Sequence, residues 1–116
     1  MVSMKDCLFC KIIDGEIPSE KVYESETVLA FKDINPQAPV HILVIPKMHI
    51  ESLNDVTEDN IGVVAEVMLV AKQLAAEFNL QNGYRVVTNI GENGGQTVHH
   101  LHFHILGGEK LTEKMC

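Results

Sequence analysis

The 116-residue chain has no excess of positive charge, too few cysteines for a disulfide framework and no long uninterrupted hydrophobic run. Nine basic residues against 16 acidic ones give a formal charge of −7. A surface of that sign repels a nucleic-acid backbone or an anionic membrane at long range, so neither is expected as the main partner, although a local phosphate site stays open. Glu66 and Lys72 interrupt the longest apolar region, and no membrane span is expected. Met1 to Asp14 lacks the continuous apolar stretch and small-residue cleavage site of a secretory signal. Three cysteines, Cys7, Cys10 and Cys116, are an odd count that suits a reducing compartment, so the cytoplasm is the expected location. Internal repeats and low-complexity segments are also missing. What remains, at 46% hydrophobic residues, is ordinary for one soluble globular domain over residues 1–116.

The chain reads as helix, strands, helix, strands. Asp6 is placed to cap a short helix from about Cys7 to Ile13, which Gly15 would end. Strands are expected at Lys21 to Ser25 and Val28 to Asp33 around a turn at Ser25-Glu26-Thr27. The two prolines of Asn35-Pro36-Gln37-Ala38-Pro39 force a rigid loop before a buried strand from Val40 to Ile45. Lys47 to Asp55 reads as a connection. Thr57 then caps one long helix, with Glu58 and Asp59 in its first turn and Asn82-Gly83 marking its end. Its apolar residues form two stripes, Ile61, Val64, Met68, Ala71, Ala75 and Phe78, and Val63, Val67, Val70 and Leu74. One sheet face covers only about 100° of a helix, so the excess predicts a homodimer through this helix. A strand at Tyr84 to Asn89, a glycine-rich loop from Gly91 to Gly95 and a last strand at His99 to Leu106 complete the chain. Without regular βαβ alternation, the expected class is α+β on a mainly antiparallel five-stranded sheet.

Half of the six histidines stand in His100-Leu101-His102-Phe103-His104. Strand alternation points these three to one face and Leu101, Phe103 and Ile105 to the other. Three readings are open: the solvated face of an amphipathic strand, a catalytic zinc site, or an imidazole that attacks phosphorus and forms a phosphoramidate intermediate. Gly91-Glu92-Asn93-Gly94-Gly95-Gln96-Thr97 just upstream favours the last, because its glycines let backbone amides approach an anion.

The run His100 to Leu106 resembles the His-φ-His-φ-His-φ-φ signature of the histidine triad (HIT) family, and the likeness covers nearly the whole chain. Cys7 to Ile13, Phe31 to Ile34, Pro39 to Ile50 and Leu106-Gly107-Gly108 look like its Hint branch of purine nucleoside phosphoramidate hydrolases. The resemblance implies a HIT-like fold and a nucleotidyl-histidine intermediate at the α-phosphate of AMP or GMP derivatives, including adenosine phosphoramidates and aminoacyl-adenylates. By the same analogy His102 is the nucleophile, its tautomer fixed by the His100 carbonyl, and His104 contacts the α-phosphate. Thr97 supplies a hydroxyl near the leaving group, and His41 supports the triad from behind. Asp33 would bind the ribose, Ile34 would line the base pocket, and Asn89, Gly95, Gln96 and Thr97 would hold the phosphate. A histidine of ordinary pKa, about 6.5, is mostly neutral at cytoplasmic pH and can attack without a dedicated base.

Cys7 and Cys10 share one helix face, and two thiolates need two more ligands to complete a tetrahedral zinc site. His49 and His100 are the candidates, in the Cys₂His₂ arrangement that related bacterial HIT proteins and galactose-1-phosphate uridylyltransferases use. Zinc would then be structural and would anchor the strand carrying His102. Redox use of the pair, or two buried free cysteines, are the alternatives. His99 departs from the bulky residue expected before the triad and is read as structural or edge-exposed. The tail from Glu109 to Cys116 lacks the aromatic end of eukaryotic Hint proteins. Rival functions are a dinucleoside polyphosphate hydrolase and a nucleotide-sensing scaffold.

Overall fold

A computed structural model describes residues 7–114. It contains α1 (Leu8–Ile13), β1 (Lys21–Glu24), β2 (Val28–Lys32), β3 (Val40–Pro46), a 3₁₀ turn (Leu53–Asp55), α2 (Ile61–Glu77), β4 (Arg85–Val87) and β5 (Phe103–Gly107). The strands form one sheet in the order β1-β2-β3-β5-β4, every neighbouring pair antiparallel. The α+β class and the five-stranded sheet expected from the sequence are both present.

Side chains alternate across the central strands, so each feeds two cores. Val28, Ala30, Ile42 and Val44 face α2 together with Leu101, Phe103 and Ile105. On the other side Leu29, Phe31, Leu43 and Ile45 meet α1 through Cys7, Phe9, Cys10 and Ile12. α1 is only six residues long, too short to persist alone, and this packing holds it. Asp6, the expected cap, lies outside the described residues. Cys7 occupies the cap position, its sulfur accepting the Cys10 N–H at 3.2 Å.

α2 differs from expectation at both ends. Thr57 forms a turn instead of a cap: its hydroxyl accepts the Asp59 N–H and its carbonyl the amides of Asn60 and Ile61. Asn60 stands at the cap position but spends its side-chain oxygen on the Thr57 N–H. The helix stops well before Asn82-Gly83 because Asn79 takes a left-handed φ of +61° and Leu80 N–H returns to the Ala75 carbonyl, a closure that Asn tolerates better than most residues. The two apolar stripes do not persist either. Val64, Val67, Val70, Ala71, Leu74 and Ala75 make one buried stripe, while Ile61, Met68 and Leu69 turn outward.

β4 and β5 are shorter than predicted. Pairing with β3 begins at Val44 opposite Phe103 and pairing with β4 at Val87 opposite His104, so His99 to His102 precede the ladder. Two other bonds fix that bent segment against its neighbours: Leu101 N–H to the Ile50 carbonyl at 2.6 Å and the Thr88 hydroxyl to the His102 carbonyl at 2.8 Å. The alternation therefore survives without the strand, with Leu101 buried in the α2 core and the histidines on the α1 side.

Candidate active site

The three histidines project to one side as predicted; His102 and His104 are held through Nδ1 and His100 through Nε2. His102 Nδ1–H donates to the His100 carbonyl at 2.7 Å, which leaves Nε2 with its lone pair. His100 does the reverse: its Nε2–H donates to the Pro46 carbonyl at 2.8 Å, leaving Nδ1 free to accept. His104 is set by a relay. Gln37 N–H donates to His41 Nδ1 at 3.0 Å, so His41 carries its proton on Nε2, which lies 2.9 Å from His104 Nδ1. His104 must accept there, and its own N–H is on Nε2. The outcome is a bare Nε2 on His102 beside an N–H donor on His104, with ring centroids 5.1 Å apart.

Burial keeps these groups neutral. Desolvation lowers the pKa of His102 against the opposing pull of its bond to the His100 carbonyl and of the Asp33 charge. It takes His104 to about 4, helped by the neighbouring His102 and His41, and lowers His41 against the attraction of Asp33. Neutral imidazole is the form that can attack an electrophile.

His41 and His104 open onto a cleft of about 690 Å³ whose walls include Asn89, Gly94, Gly95 and Arg85. Its far side is the tail at Leu111 and Thr112, where the Arg85 guanidinium donates to the Thr112 carbonyl. Asp33 approaches the same edge of His41 that meets His104, one oxygen accepting the Asn35 N–H at 2.7 Å and the second 3.4 Å from His41 Nε2. Further lone pairs remain on that carboxylate. Ile34 beside it is 97% exposed, a hydrophobic side chain with no cover from the protein itself.

The glycine-rich loop is built differently from a simple amide cradle. Gly94, Gly95 and Gln96 donate their N–H groups to the carbonyls of Gly91, Glu92 and Gly91 respectively, so these amides are committed within the loop. Gly94 must be glycine, because a Cβ there would stand 2.2 Å from the Ile90 carbonyl oxygen. Gln96 is buried, and its side chain accepts the Gly91 N–H while donating to the carbonyls of Glu51 and Val98. That amide braces the loop against the connection after β3. Asn89 donates to the Gly94 carbonyl at 2.8 Å and borders the cleft, whereas Thr97 is exposed at the end of the loop. His99 is exposed too, 3.8 Å from Glu51.

Behind the triad, Cys7, Cys10, His49 and His100 bring one donor atom each within 4.8 Å of one another. His100 Nδ1 lies 3.3 Å from Cys7 Sγ, 3.6 Å from Cys10 Sγ and 3.2 Å from His49 Nδ1, and Cys10 Sγ lies 3.3 Å from His49 Nδ1. Tetrahedral bonds of roughly 2.3 Å to sulfur and 2.0–2.1 Å to nitrogen require ligand separations of this size, so the donor set fits zinc. Desolvation, reinforced by Cys7, pushes the Cys10 thiol up to about 12, and burial pushes His100 down to about 4. All four expected ligands converge.

Two groups in the site carried no signal in the sequence. Phe9 packs edge-on to His102, centroids 5.0 Å apart, and Gln37 orients His41 through its backbone. The first was concealed as an ordinary core aromatic and the second acts through an atom every residue has.

The chain matches the family described as scavenger mRNA decapping enzyme C-term binding over residues 6–115. It is 50% identical to a HIT-like protein of Synechococcus elongatus over 92% of this chain and 94% of that one. Among solved structures it resembles a HIT family hydrolase from Legionella pneumophila with a TM-score of 0.91 at 50% identity, covering 93% of this chain and 97% of the other. A histidine triad protein from Clostridium difficile gives 0.91 at 51% identity, covering 99% and 100%.

Proposed function

The chain belongs to the histidine triad family, and from that premise we propose that it is a nucleotide hydrolase whose His102 attacks the α-phosphorus of purine nucleotide derivatives. The observation that carries this is the tautomer pair: His102 offers an unprotonated Nε2 and His104 an Nε2–H on the same side. Nitrogen forms the bond to phosphorus while the phosphorus–leaving-group bond breaks. His104 Nε2–H stabilises the charge on the phosphoryl oxygens. An amine leaving group takes up a proton from solvent as it departs, relayed through the Thr97 hydroxyl, and the water that later attacks phosphorus returns a proton to solvent. Positive charge developing on the modified His102 ring is offset by its bond to the His100 carbonyl. Water then attacks phosphorus, releases the nucleoside monophosphate and restores neutral His102.

Asp33 would take the ribose hydroxyls, and a purine would cover Ile34, whose exposure is the burial a base has to gain. Asn89 and Thr97 would hold the phosphate with His104, while Gly95, whose amide is bonded to the Glu92 carbonyl, would border it. Gln96 would serve the same site through the loop it braces. Zinc bound by Cys7, Cys10, His49 and His100 would be structural, tying α1 to the segment that carries His102. A second copy would cover Ile61, Met68 and Leu69 on α2, giving a homodimer. Cys7 and Cys10, not joined in a disulfide, suit a reducing cytoplasm, and among the described residues no helix is long and apolar enough to cross a membrane.

Purified protein incubated with an adenosine 5′-phosphoramidate, an aminoacyl-adenylate and a dinucleoside polyphosphate tests the substrate class. Turnover of the first two with release of AMP is expected. Preference for the polyphosphate would favour that rival hydrolase, and nucleotide binding without turnover of any would favour a sensor.

A further inference from the structure

We infer that Phe9 is a positioning residue for the nucleophile, its ring seating the His102 imidazole against rotation. The inference rests on His102 being the attacking group, as proposed above. The His102 ring is tied at one atom, Nδ1, by the bond to the His100 carbonyl. A single hydrogen bond leaves the ring able to rock about that point. Two ring contacts restrain it further, His104 at 5.1 Å and 69° and Phe9 at 5.0 Å and 85°, both in the edge-to-face geometry that aromatic pairs prefer, and of the two Phe9 is the one set in the apolar core.

Phe9 is itself well fixed. It is 4% exposed, lies edge-on to Phe31 at 5.6 Å and 70°, and meets His100 at 6.0 Å and 73°. It therefore touches both the attacking histidine and the histidine of the Cys₂His₂ cluster. On the chain it stands between Cys7 and Cys10, on a six-residue helix whose first turn is closed by the Cys7 sulfur. The turn that supplies two donors of the cluster thus also delivers the ring that seats the nucleophile. Leucine at this place would preserve apolar bulk but offer no flat edge, and reaction rates fall about 100-fold for misplacements near 1 Å.

The test uses the full-length protein with Phe9→Leu and Phe9→Tyr, metal content confirmed by elemental analysis. Two measurements are made: AMP transfer to His102 from an adenosine phosphoramidate, followed against substrate concentration for its single-turnover rate and KM, and the ¹⁵N shifts of the His102 ring without substrate. Phe9→Leu is expected to slow transfer about tenfold while KM stays within a factor of about two, and to move the ring shifts away from the Nδ1–H pattern. Phe9→Tyr should retain both. Unchanged transfer and shifts in Phe9→Leu, or a rise in KM alone as for a wall of the base site, would overturn the inference. If Phe9→Leu does not fold, Phe9→Met carries the same two readouts. Failure of the wild type to form any adduct would instead count against the proposed reaction, and the ring shifts would still decide the role of Phe9.

Discussion

His100 and His104 flank His102 symmetrically, two residues to either side, and burial takes both to about 4. Their surroundings part them. His100 is completely buried, gives its Nε2–H to Pro46 and turns a lone pair toward two sulfurs. His104 borders the cleft, accepts at Nδ1 from His41 and turns an N–H outward. The same side chain at the same spacing presents a lone pair to a Cys-Cys-His cluster at one end and an N–H toward the cleft at the other. What decides is which ring nitrogen a fixed neighbour takes first.

The largest break in this comparison comes at its centre. His102→Asn removes the only triad nitrogen that is both bare and beside the His104 donor, so turnover should fall by at least about 10³-fold with the fold intact. Circular dichroism and single-turnover assays check both halves of that statement.

Next comes the His100 end. Cys10→Ser removes one donor of four, so bound zinc should fall from about one equivalent toward none, and stability by about 3 kcal/mol. Urea unfolding and elemental analysis measure this, and a protein with full stability and no metal in the wild type would remove the distinction between the two ends.

At the His104 end, His41→Ala breaks the relay from Gln37 and frees the His104 ring to take the other tautomer. A loss of about 10–100-fold in kcat is expected, with metal content unchanged. Equal losses of metal in this variant would mean that the two ends are not separate.

The smallest effect is on stability against pH. In the unfolded chain a histidine titrates near 6.5, whereas folding holds His41 lower and His104 near 4. Above about pH 6.5 neither state is charged and the pair contributes nothing. As pH falls, the unfolded chain takes up protons first, so stability declines until His104 charges in the folded state near 4. A loss of about 2 kcal/mol or somewhat more between pH 7 and 4.5 is expected, most of it from His104, and His104→Gln should make the decline shallower.

These distinctions were only partly legible in the sequence. The period-2 spacing of His100, His102 and His104 announced a shared face, and Cys7 with Cys10 announced half of the four-donor cluster, because both depend on local geometry alone. The apolar pattern likewise foretold the sheet and both helices. The helix limits did not follow from it, since Thr57 and Asn60 bond each other and Asn79 closes the helix early. The family resemblance named the His100 carbonyl as the partner of His102, but the residue types did not say which nitrogen His100 and His104 expose. That choice is made by the carbonyls of Pro46 and His100 and the amide of Gln37, groups common to every residue and placed only by the tertiary fold. Gln96 illustrates the same limit: an amide beside glycines reads as a phosphate contact, and burial turns it into a brace for the loop.

Trapping the intermediate tests the central claim most directly. Enzyme mixed with an adenosine 5′-phosphoramidate, quenched in alkaline denaturant to preserve an N-linked nucleotide and then proteolysed, should yield the peptide spanning His100 to His104 with one adenylyl group on His102. Full turnover with that peptide unmodified, or with the label on His100 or His104, would contradict the assignment of roles.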